Sequence, residues 1–129
     1  MVSEQDIAEF GDLWSLMYVV FAKEMVDSFG DEGRKALVRA IRNYGKARGE
    51  RLRKRHEEMG LPINLRSLFE HYDLPGNPGT VKERRVFADD RLISYTYSCP
   101  YEKVWRANDG KDLGLLYCQN FHHAFWQTY

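Results

Sequence analysis

Cys99 and Cys118, with His122 four residues beyond the second, are the side chains of this chain best suited to making and breaking bonds. A thiolate is a nucleophile and a soft-metal ligand, and an imidazole carries protons near neutral pH. Both cysteines and two of the four histidines fall between residues 99 and 123, in company with Tyr101, Trp105 and Tyr117. On a helix Cys118 and His122 share a face, one turn apart. That spacing supports two chemistries: the imidazole lowers the thiol pKa and the thiolate attacks an electrophilic carbon, or the pair joins Cys99 in holding zinc with water in the open fourth position. A third reading makes both cysteines small buried hydrophobes and leaves the histidines as surface polar groups. His56 stands in a charge run and reads as surface, whereas His71 lies beside a loop from which it could reach a site.

The elements that must position these residues are legible from periodicity and punctuation. Ile7, Phe10, Trp14, Met17, Phe21, Met25 and Phe29 recur every three or four residues, an amphipathic helix that opens near Ser3 with a capping-box partner at Asp6. A second helix runs from Asp31 through Leu37, Ala40, Ile41, Tyr44, Ala47 and Leu52 until Gly60 and Pro62 stop it. Because only Phe29-Gly30-Asp31 joins the two, residues 1–60 are expected to fold as an antiparallel helical hairpin. Gly45 and Gly49 weaken the second helix but permit close packing. Residues 61–79 hold a short helix capped by Asn64 and then a Pro/Gly-rich loop. Residues 80–129 read as a β-hairpin, Val81 to Phe87 and Leu92 to Ser98, followed by a short helix opened by Pro100 and a C-terminal helix from Lys111 or Asp112. Alternation would point Ile93, Tyr95, Tyr97 and Cys99 to one inner face. The expectation is a single α+β domain: a long antiparallel helical hairpin packed with a small antiparallel sheet and a C-terminal helix.

Composition narrows the class. At 129 residues and 43% hydrophobic, the chain can bury one modest core. The apolar run Leu16 to Ala22 is too short to span a bilayer, and the acidic start lacks a signal peptide's basic region, so a cytoplasmic location with both cysteines reduced is expected. Residues 1–32 hold eight acids against Lys23, and residues 33–56 hold ten bases against Glu50. In a hairpin these faces would neutralise each other; a basic rim for an anionic substrate is the sharper alternative. Nucleic acid is not expected, because no aromatic residues interleave the bases.

Three stretches together resemble the L-2-amino-thiazoline-4-carboxylic acid hydrolase family: Phe29-Gly30-Asp31-Glu32-Gly33-Arg34; Ala40-Ile41-Arg42-Asn43-Tyr44-Gly45 with Arg48-Gly49; and Cys99-Pro100-Tyr101, Trp105, Leu113-Gly114 and Tyr117-Cys118. The resemblance covers roughly residues 20 to 126. It implies a cofactor-poor hydrolase that opens a cyclic amidine or isothiourea ring, adding water at a carbon–nitrogen bond to give a carbamoyl-type product. It also implies further strands with a Gly-Asp-Asp-x-Cys-like segment after the final helix, where this chain stops at Tyr129. A partner completing the sheet, or a homo-oligomer, would supply what two strands lack. For such an enzyme Cys99, Cys118 and His122 are the catalytic candidates, with water activated by His122 or a metal, or with a thiolate attacking first. Arg42, Arg84 and Arg85 are candidates for a substrate carboxylate, and Tyr97, Trp105 and His71 for further substrate contacts. The alternative is a non-catalytic small-molecule-binding or subunit-association module using Phe121, Phe125, Trp126 and Tyr129.

Overall fold

A computed structural model describes all 129 residues. Its first element, α1, is helical from Glu4 to Glu58. The Ser3 hydroxyl accepts the Asp6 amide N–H and the Asp6 carboxylate accepts the Ser3 N–H, so the expected capping box forms. Gly30 interrupts the run with φ 57° and ψ −134°, a combination open essentially to glycine alone. A methyl group placed on Gly33 would lie 2.0 Å from the Met25 carbonyl oxygen. Eight residues of continuous helix span about 12 Å, so the axis turns sharply at Gly30. Residues 4–29 and 31–58 are thus two arms.

Five elements follow: α2 (Leu65–Glu70), β1 (Val81–Phe87), β2 (Leu92–Ser98), α3 (Pro100–Ala107) and α4 (Lys111–Thr128). Asn64 caps α2 by accepting the Ser67 N–H. α4 fills the groove between the arms of α1. Near its start the Tyr18 hydroxyl donates to the Leu113 carbonyl at 2.6 Å, and one turn on Tyr117 meets Trp14 with ring centroids 5.2 Å apart. Its second half packs on the other arm, where methyl groups on Gly45 and Gly49 would approach the Phe121 and Phe125 carbonyls to 2.9 and 2.8 Å. Contacts along α4 descend one arm and ascend the other, so the arms are antiparallel. Val19, Ala22, Leu37, Ile41, Leu52, Leu113, Phe121 and Phe125 form the core of this α+β fold.

Three expectations about α1 require correction. Phe10, Met17, Phe21 and Phe29 face outward, and the first arm instead buries Ser15, Val19 and Ala22. No ion pair joins residues 4–29 to residues 31–58, so the acidic and basic stretches are not paired side chain to side chain. His56 is fully buried: Nε2–H donates to the His71 carbonyl at 2.9 Å, which leaves Nδ1 to accept from the Tyr129 hydroxyl.

The antiparallel hairpin has the expected strands. Its faces do not follow the alternation, because Tyr95 and Tyr97 are exposed and no further layer covers them. It is held at its turn, where the Asp89 carbonyl accepts the Leu65 N–H and Arg66 bonds both the Asp89 carboxylate and the Phe87 carbonyl. No helix is long and apolar enough to cross a membrane.

Candidate active site

β2 ends at Ser98, and the next residue, Cys99, is the N-cap of α3. Pro100 sets the first helical φ and lacks the N–H that would otherwise be orphaned. No side chain caps this helix end, so the first-turn amides of Tyr101 and Glu102 retain donor capacity beside the thiol, where the helix presents its positive pole. Cys99 is half-buried and lines an open recess of ≈ 330 Å³ with Thr96, Tyr97 and Ser98 on the strand side and Glu102, Lys103 and Arg106 on the helix side. Glu102 and Arg106 form an ion pair one helical turn apart. Lys103 has no ion-pair partner and is the free cation of the recess. The Tyr97 hydroxyl donates to Glu83 at 2.9 Å across the hairpin.

Cys118 and His122 share a face of α4 but do not pair. The His122 Nδ1–H donates to the Cys118 backbone carbonyl at 3.0 Å, an i to i−4 bond. Its ring packs between Phe121 and Trp126, at 5.3 and 5.2 Å. Burial lowers the His122 pKa; the carbonyl bond opposes this and the charge of Arg48 adds to it, so the ring is neutral near pH 7. Burial pushes the Cys118 thiol up to about 11, with the charges of Cys99 and Glu102 adding to the effect. Cys118 therefore lies behind the recess as a protonated thiol. No three His, Cys, Asp or Glu side chains converge as a metal ion requires, so Cys99, Cys118 and His122 do not fit a zinc site.

The other candidates are dispersed. Arg42 donates through Nε to Asn120 Oδ1 at 2.9 Å. Arg84 lies over the Phe87 and Phe69 rings, and Arg85 pairs with Glu83 while covering Tyr95. His71 is exposed beside His56, 6.0 Å ring to ring. Trp105 is 2% exposed with its indole N–H donated to the Ser15 carbonyl at 2.9 Å, which makes it a core residue and corrects its reading as a substrate contact.

Sequence reasoning passed over Glu102 and Lys103, although a Pro-opened helix places both in the turn that follows Cys99. It placed Arg48 among ten bases and in the family-like Arg48-Gly49 pair but gave it no role in the site. Arg48 makes a bidentate pair with Asp73, 2.8 and 2.6 Å, with both side chains nearly excluded from water. Rings of Phe125, Phe121, Tyr72 and Tyr44 surround the guanidinium at 4.9 to 5.9 Å. Burial opposes its charge, but the Asp73 bonds prevail and raise its pKa. Helical phase is a further cue to its burial: Arg48 adjoins the face of Gly45, Gly49 and Leu52.

A family model described as L-2-amino-thiazoline-4-carboxylic acid hydrolase matches residues 13–129. No curated protein and no solved structure matches the chain.

Proposed function

The chain belongs to the L-2-amino-thiazoline-4-carboxylic acid hydrolase family, and on that premise we propose that it opens the ring of a 2-aminothiazoline-carboxylate-like substrate by hydrolysis at the Cys99 recess. The observation that carries this reading is the accessible thiol at an uncapped helix N-terminus, with an unpaired lysine one turn away. Lys103 takes the substrate carboxylate. The Cys99 sulfur attacks the ring carbon bonded to nitrogen and sulfur, and the carbon–nitrogen π pair moves onto nitrogen, which takes a proton. The ring carbon–nitrogen bond then breaks, the departing nitrogen takes a proton, and the carbon stays bound to Cys99 and to the ring sulfur. Water adds to this carbon, the Cys99 thiolate leaves, and a carbamoyl-type product with an opened ring is released. In this reading Glu102, held by Arg106, accepts the water's proton, and the first-turn amides stabilise charge that develops during attack.

Turnover of 2-amino-thiazoline-4-carboxylate tests this. Cys99→Ser should lose about 100-fold or more in kcat with its melting transition retained, consistent with a nucleophile worth several kcal/mol. Full activity in Cys99→Ser would refute the thiol route. A second reading is a subunit-association module; Phe121, Phe125 and Tyr129 are buried in the core and do not supply its surface, and the outward apolar face Phe10, Leu13, Met17, Val20 and Phe21 favours it instead. A strictly monomeric mass at micromolar concentration would rule it out.

A further inference from the structure

A second recess, ≈ 380 Å³, lies between the second arm of α1 and α4 and shares no residue with the Cys99 recess. Arg42 and Lys46 form one wall, a helical turn apart, and Gln119, Asn120 and Gln127 form the other. No carboxylate lines it, and neither cation has an ion-pair partner. The guanidinium is also aimed. Arg42 Nε donates to Asn120 Oδ1 at 2.9 Å, while Asn120 Nδ2 donates to the Leu116 carbonyl at 2.9 Å, which fixes the amide and leaves both terminal guanidinium nitrogens unused. The close approach at Gly45 and Gly49 holds the two walls in register.

We infer that this recess binds a small molecule bearing a phosphate group. The two free nitrogens of Arg42 present a fork that matches two oxygens of one tetrahedral anion, and Lys46 balances its second charge. The recess exceeds the size of a bare phosphate, and the rest of its lining, Gln119, His123, Gln127 and Thr128, suits a polar remainder. An apolar ligand is disfavoured, since Ala124 is the one hydrophobic residue of the lining. The inference is independent of the Cys99 chemistry.

Calorimetric titration of the full chain at fixed ionic strength tests it, with inorganic phosphate, glycerol phosphate, malonate and chloride as the added anions. The expected result is saturable binding of glycerol phosphate at millimolar concentration or below, with phosphate weaker and chloride silent. Arg42→Met should weaken binding about tenfold or more, as expected for loss of charge-assisted hydrogen bonds. Arg42→Lys keeps the charge and loses the fork, so it should weaken binding by several-fold, whereas Cys99→Ser should bind as the parent does. Both Arg42 variants change an exposed side chain, and a matched thermal transition confirms folding. Absence of saturable binding, binding undiminished in both Arg42 variants, or malonate binding as tightly as glycerol phosphate would each overturn the inference.

Discussion

A thiol that opens a helix and a thiol inside a bundle are different reagents, and the two cysteines of this chain divide along that line. Cys99 faces an open recess, whereas burial holds Cys118 protonated up to about pH 11. Iodoacetamide at pH 8 should therefore modify Cys99 in the native protein and spare Cys118 until the chain is unfolded. Peptide mass analysis reads the two sites separately, and equal labelling rates would contradict the assignment. Two half-buried groups, Cys118 and His122, also tie stability to pH. A raised Cys118 pKa stabilises the native state below the unfolded thiol value and is lost as pH climbs toward about 11. A lowered His122 pKa acts in the other direction: as pH falls below the unfolded imidazole value, the unfolded chain takes the proton and the native state resists it. Urea midpoints should fall on both sides of neutrality, and His122→Gln should flatten the acid side alone. The spacing of Cys118 and His122 placed them correctly on one face. What it could not contain is that the nearest acceptor for a helical imidazole is the carbonyl four residues back, and that bond wins here over the thiol.

At the scale of elements, the strand bounds, the cap at Ser3 and the turn at Gly30 were all readable, because each is set by local chemistry: alternation, a hydroxyl three residues before a carboxylate, a backbone angle only glycine tolerates. The face each element buries was not. The first arm carries apolar residues around most of its circumference, so the spacing of Phe10, Met17 and Phe21 announces a helix without stating its inner side. The second arm is decided by absence of side chains: Gly45 and Gly49 let the α4 backbone approach where any Cβ would meet a carbonyl oxygen. Gly45→Ala and Gly49→Ala should thus destabilise, each by about 1–3 kcal/mol as overpacking does, although alanine is the better helix former. Urea unfolding decides the sign. An increase in stability in either variant would mean that α4 moves away at little cost.

Across the whole molecule, the helical bundle is tied to the loop by a buried ion pair between residues 25 positions apart, beside the His56 bond to the His71 carbonyl. Arg48 reaches from the second arm to Asp73 in the segment between α2 and β1, and the segment's neighbour Tyr72 packs on Phe125 of α4. Nothing local announces such a pair, because a sequence shows that Arg48 is charged but not that aromatic rings will strip its water. The same ignorance hid the cage: four rings from three parts of the chain meet only after the arms have closed on α4. The energetics follow from what each replacement leaves behind. Arg48→Met strands a carboxylate with 3% exposure, and Asp73→Leu strands a guanidinium with 11%, so each should cost about 3–5 kcal/mol. Arg48→Met with Asp73→Leu leaves no buried charge and offers the rings apolar neighbours of similar volume, so the double variant should lose less than either single one. Urea titration of all four proteins closes the cycle. A loss in the double variant equal to the sum of the singles would show that the two charges do not stabilise one another, and the loop would then be held by its apolar contacts and the His56 bond to the His71 carbonyl.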